Sequence, residues 1–153
     1  VIEEIGADAT RYYLIEKKPE QHLEFDLAQA AIKSMENPVY YIQYAHARIC
    51  NIERKTINLK SNQDLAFNES DRKLMILGAR YYDVLYDTAT NLEPYKLSHY
   101  LYELAKTFHG FYQKSPVIYD NEVHKQRLSI VKTIKDIIQD CSKILGISTP
   151  EKM

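Results

Sequence analysis

The residues best placed to do chemistry crowd into one stretch, "NPVYYIQYAHARICNIERK", residues 37 to 55. Wound as a helix at about 100° per residue, the stretch sorts into faces. Val39, Ile42, His46 and Ile49 fall on one; Tyr41, Tyr44, Ala45, Arg48 and Ile52 fall on another, roughly opposite; Tyr40, Gln43, Ala47 and Asn51 lie between. The first face is an ordinary apolar stripe. The second joins two rings to a guanidinium, and that combination has a chemistry. Bases stack on tyrosine at about 1–3 kcal/mol each, and arginine forks onto phosphate. A single-stranded RNA loop asks for both. A helix packed on two sides, its tyrosine hydroxyls satisfied by neighbours, is the plainer reading of the same spacing.

Other reactive side chains do not gather. His46 sits on the apolar stripe, where a packed, hydrogen-bonded core histidine fits better than a metal ligand or catalytic base. His99, His109 and His124 show no ligand spacing. The chain carries no phosphate-binding loop, no dinucleotide fingerprint and no nucleophile elbow. Its carboxylates are scattered over solvated faces. No catalytic residue, metal ligand or cofactor is assigned from these patterns.

The elements that must position the ring stripe follow from composition and punctuation. Only four glycines and five prolines occur in 153 residues, which favours helices over a turn-rich β fold. Thirteen tyrosines and no tryptophan make the rings amphipathic, so some of them line a surface. The formal charge of −1 excludes a polycation, and any nucleic-acid affinity must come from a local patch. Cys50 and Cys141 sit in apolar helical patterns and are expected as free, core-packed thiols. No apolar run approaches the ~20 residues of a membrane span, no signal peptide is visible, and a cytoplasmic protein is expected.

Along the chain, a first helix fits Ala7 to Glu16 and ends before Pro19. A connector follows, then a helix capped by Asp26 and running to about Met35. Asn37-Pro38 is a strong start signal, because asparagine caps and proline fits the first helical position. That helix runs to about Lys55. A polar loop, "KTINLKSNQD", separates it from one further helix within residues 69–92. Pro94 opens the next, with Leu97, Leu101, Leu104, Phe108 and Phe111 as its stripe. The last starts near Asn121, buries Leu128, Val131, Ile134, Ile138, Cys141 and Leu145, and stops at Gly146. No strand pattern competes. The expectation is an all-α bundle of about six helices.

"NPVYYIQYAHARI" closely resembles the hallmark segment of the C-terminal, DALR-type anticodon-binding domain of arginyl-tRNA synthetases. "EEIGADATRYYLI" resembles the segment that leads from the class I catalytic core into that domain. "YLYELAKTFHGFY" and "RLSIVKTIKDIIQDCSKILGISTPEKM" resemble its terminal half. Residues from about Glu53 to Asn91 carry no diagnostic match. The catalytic HIGH-type and KMSK-type segments are absent, so the resemblance implies the C-terminal domain alone: residues 1–20 as the junction helix and 21–153 as the anticodon-binding bundle. The piece would not charge tRNA by itself, since the ATP, Mg2+ and arginine sites belong to the full enzyme.

The resemblance also assigns roles. It implies that Tyr41 and Tyr44 face the anticodon loop and that Arg48 is set for backbone phosphate. Tyr112 is implied near the loop, as is Met153, whose thioether and carboxylate end the chain there. Asn37 and Pro38 belong to the structural motif, as do Gln43 and His46, read as internal hydrogen-bonding residues that hold the helix in place. Arg11 is given a structural or hinge role, and His109 is a minor candidate. The implied partners are the anticodon loop of tRNA(Arg), whose central cytosine is the main feature read, and the rest of the synthetase chain, in a monomer without membrane contact. The competing class is a helical protein–protein interaction module with the tyrosines as anchors.

Overall fold

A computed structural model describes residues 2–21, 26–32, 34–62 and 66–153. Parts of the expected connector and polar loop (22–25 and 63–65) lie outside these residues, as does position 33. The helices are α1 (Ile2–Ile5), α2 (Ala7–Ile15), α3 (Leu27–Ala31), α4 (Pro38–Thr56), α5 (Glu69–Ala79), α6 (Tyr81–Asn91), α7 (Pro94–Lys114) and α8 (Lys125–Leu145). α7 is central because its stripe recurs every three or four residues. Leu97, Leu101, Leu104, Phe108 and Phe111 are all fully buried. α4, α5, α6 and α8 pack around it, and α2 closes against α7, α4 and α8. The helical bundle expected from composition and periodicity is the fold observed, with a small three-stranded sheet beside it.

α4, which carries the site, is defined at its start by Asn37. The Asn37 side chain accepts from Val39 N–H at 3.0 Å, with Pro38 at the first helical position. The same side chain donates to the Ala30 and Ile32 carbonyls at 2.9 and 3.0 Å. Those two carbonyls are thereby taken, and α3 ends at Ala31 rather than at Met35.

Two other expectations need correction. The single helix over 69–92 is two, broken at Arg80. In an unbroken helix the Leu77 carbonyl would accept from Tyr81 N–H. Here it accepts instead from the Tyr100 hydroxyl at 2.9 Å and from Arg80 N–H at 3.2 Å. The last helix begins at Lys125, not Asn121, because Asp120 and Asn121 are both left-handed (φ 48° and 60°). Two such residues make a tight hairpin turn, joining strands β2 (Ile118–Tyr119) and β3 (Glu122–His124). β1 (Lys60–Asn62), within the expected polar loop, pairs parallel to β3. Strands of two or three residues are too short for a period of two to show.

α5 and α8 are joined by a buried ion pair. Arg127 Nε and Nη2 donate to the two Asp71 oxygens at 2.9 and 3.0 Å, and Nη1 donates to the Pro116 carbonyl at 3.1 Å. Asp71 also accepts from Asn68 N–H in a capping box. Burial alone would raise the Asp71 carboxyl, but the bonds from Arg127 and Asn68 hold it below its usual range. Cys50 and Cys141 are buried and free; burial pushes Cys141 up to about 12. Among the described residues no helix is long and apolar enough to cross a membrane.

Candidate functional site

α4 and α7 run side by side, and a ring cluster sits where they meet. Arg48 is its centre. Its Cζ lies 4.6 Å from the Tyr44 ring centroid and 4.4 Å from that of Tyr112 on α7. Nη2 donates to the Tyr44 hydroxyl at 3.1 Å, one helical turn back. Nη1 lies 3.2 Å from His109 Nδ1, while His109 Nε2 lies 3.2 Å from the Tyr41 carbonyl. A carbonyl only accepts and a guanidinium only donates. The partners therefore fix His109 as a neutral ring protonated on Nε2. Burial lowers its pKa, and the nearby Arg48 cation lowers it further against the raising effect of the Tyr41 carbonyl.

Tyr41 packs its ring 4.4 Å from His109 and 5.6 Å from Tyr102, centroid to centroid. Tyr40 stacks on Tyr44 at 6.4 Å with 13° between the planes. Tyr102 and Tyr112 are more than a third exposed, at 37% and 40%. Among the described residues Arg48 has no carboxylate within ion-pair distance, so its charge stays available. Rings with open faces beside an uncancelled guanidinium can stack flat bases and hold a phosphate.

The structure thus brings Tyr41, Tyr44, Arg48 and Tyr112 into one cluster. Ala45 and Ile52, placed with them by periodicity, turn inward and are buried at 0% and 5%; α4 is packed on two flanks, and its ring face is narrower than the pattern implies. Met153 lines a neighbouring cleft beside Tyr40, Gln43 and Ser148. Gln43 and His46 point to the C-terminal tail and α2. Gln43 Nε2 donates to Asp8 at 2.8 Å, and His46 Nδ1 lies 2.9 Å from the Pro150 carbonyl. Cys50, four residues on from His46, sits 3.8 Å from its Nε2, so the expectation that no His or Cys lies one turn on from His46 is corrected. Arg11 donates to the Gly146 carbonyl at 2.9 Å.

Tyr40 and Tyr102 are the residues that sequence reasoning misses. A signal existed for Tyr102. It stands seven residues before His109, and two helical turns bring such residues back to one face of α7.

Fold and cluster together define a mainly helical module with a ring-lined surface where α4 meets α7. Residues 42–153 match the family model for the DALR anticodon binding domain, and the chain belongs to that family. It is similar to the arginine–tRNA ligase of Legionella pneumophila (strain Corby), 40% identical over 162 residues that cover 99% of this chain and 28% of that protein. It is similar to the same enzyme of Coxiella burnetii (strain CbuK_Q154), 41% identical over 98% of this chain and 27% of that one. Among solved structures, Thermus thermophilus arginyl-tRNA synthetase superposes with a TM-score of 0.83 and 25% identity, over 98% of this chain and 27% of its own. The chain therefore spans little more than a quarter of the curated relatives it matches. Those relatives are named as arginine–tRNA ligases. Neither a HIGH-type nor a KMSK-type segment is present here, and no group of three metal-ligating side chains forms among the described residues.

Proposed function

We propose that this chain is the anticodon-reading domain of an arginyl-tRNA synthetase and that it docks the anticodon loop of tRNA(Arg) on the α4–α7 ring cluster. The observation that carries the reading is Arg48, laid against Tyr44 and Tyr112 without a carboxylate to cancel it. Loop bases unstack and lie on the exposed tyrosine faces, the edge of the central cytosine is read by hydrogen bonds, and Arg48 meets backbone phosphate. Tyr41, braced by His109 and Tyr102, and Met153, in the adjoining cleft, complete the docking surface. Residues 1–20 join the bundle to the catalytic part of the enzyme, which attaches arginine to tRNA(Arg) with ATP and Mg2+ as a monomer in the cytoplasm.

The test is a titration against an anticodon stem-loop bearing an arginine anticodon, at low and moderate salt, beside a stem-loop with the central cytosine replaced. The cytosine-bearing loop should bind more tightly. Contact with about two phosphates should give a log–log salt slope of roughly −1.4. Equal binding of both loops would remove base reading from this surface. Salt-insensitive binding to a protein, without RNA binding, would replace the reading with a protein-docking module.

A further inference from the structure

α4 has a second task on the side away from its rings. Gln43 Nε2 lies 3.2 Å from the Ser148 carbonyl and 3.1 Å from its hydroxyl. His46 Nδ1 lies 2.9 Å from the Pro150 carbonyl, and Arg54 reaches the Glu151 carbonyl from Nη1 and Nη2 at 3.4 and 3.3 Å. The tail after α8 is thus fastened in order along α4, with no helix or strand of its own. It leaves α8 through a left-handed Gly146 (φ 69°), and Ile147 N–H returns to the Ser142 carbonyl at 2.8 Å. Past Glu151 it turns back. Met153 and Ser148 then line one cleft of about 630 Å³ with Tyr40 and Gln43, and the Tyr40 ring runs nearly parallel to that of Tyr44, with 6.4 Å between centroids.

The fastenings are not equal. Those of Gln43 to Ser148 and of Arg54 are exposed, so water can replace them at little cost. His46 is wholly buried, so water does not compete for its Nδ1–H while the tail is in place. Since the Pro150 carbonyl can only accept, the pairing also fixes the ring's tautomer.

We propose that His46 is a positioning residue for the RNA surface: through Pro150 it holds residues 147–153 in one course along α4, fixing Met153 beside Tyr40 as the outer wall of the stacking face. The proposal rests on the RNA reading above. A tail left free would have to be ordered at each docking event, and affinity would fall accordingly.

His46→Leu removes the donor and keeps apolar volume; His46→Asn keeps an N–H where Nδ1 stood. Two readouts are taken on the chain: carboxypeptidase digestion of the tail, and affinity for the arginine anticodon stem-loop. His46→Leu should open the tail to digestion and weaken binding about tenfold, the effect of moving one residue's worth of ordering into the docking step. His46→Asn should keep both near the unchanged chain. Removing residues 149–153 should cost at least as much affinity as His46→Leu, and adding His46→Leu to the shortened chain should cost nothing further. Full affinity in a folded His46→Leu chain with an open tail would overturn the proposal. So would an undiminished effect of His46→Leu in the shortened chain, since His46 would then act through α4 itself. Should His46→Leu not fold, the shortened chain alone decides, and unchanged affinity there overturns the proposal. Failure of the unchanged chain to bind the stem-loop would instead overturn the RNA reading, while digestion still shows whether His46 holds the tail.

Discussion

Two arginines in this molecule meet opposite fates. Arg127 is buried, grips both oxygens of Asp71, and spends a third donor on the Pro116 carbonyl. Its charge is cancelled where it stands, and its work is to join α5, α8 and the hairpin. Arg48 is half-buried and lies against two rings, held by a hydroxyl and a neutral imidazole. Its geometry is fixed about as firmly, yet its charge is left uncancelled. The contrast separates a structural cation from one kept for an outside anion: position can be secured by rings and neutral acceptors, whereas a carboxylate would occupy the charge as well.

The largest effect should come from breaking the structural pair. Arg127→Met leaves a buried Asp71 unpaired and should cost about 3–5 kcal/mol of stability, read by urea unfolding. Stem-loop affinity per folded molecule should hold. A loss below about 1 kcal/mol would mean that water reaches Asp71 and that the pair behaves as a surface one. Arg48→Gln should invert the pattern. Unfolding should shift little. Affinity should fall about 10- to 100-fold, the value of a charged hydrogen bond, and the log–log salt slope should flatten by about 0.7. An unchanged slope would show that Arg48 meets no phosphate.

This contrast was only partly legible in the sequence. The stripe of α7 and the Asn37-Pro38 start of α4 announced themselves, because burial and capping leave local marks. Arg48 beside Tyr44 was visible for the same reason, being one turn apart. Asp71 with Arg127 was not. The residues are 56 positions apart, and only the packing of α5 on α8 brings them together. The break at Arg80 was hidden likewise, since the carbonyl it depends on is taken by Tyr100, a residue of another helix. His109 and Tyr112 joined the cluster through α4–α7 packing that no single-helix periodicity contains. The tail contacts of Gln43 and His46 lie 104 or 105 residues away in sequence, which is why both read only as internal polar residues.

A smaller test sharpens the ring side of the contrast. Tyr44→Ala removes one stacking face and the hydroxyl that Arg48 binds. Affinity should fall by roughly 1–3 kcal/mol with little loss of fold. Tyr44→Phe should lose less, since the ring stays and only the hydroxyl goes. Equal losses in the two variants would mean that the Arg48–hydroxyl bond matters more than stacking.

The smallest effect is the one that depends on charge being absent. His109 accepts from Arg48 only while its Nδ1 is unprotonated. Its folded pKa is lowered, first by burial. Below about pH 6.5 the unfolded chain takes up a proton that the folded ring refuses. The unfolded state then binds more protons, so stability falls as pH drops from about 6.5 toward the lower folded value and is fully present above it. His109→Asn places a carbonyl where Nδ1 stood, accepts from Arg48 and does not titrate. Between about pH 7.5 and about pH 5.5 the unchanged chain should lose more of its urea midpoint than this variant. A smaller loss in the unchanged chain than in the variant would mean that His109 already carries a proton in the fold. Arg48 would then face a second cation, and the arrangement that keeps its charge free for an anion would need a different basis.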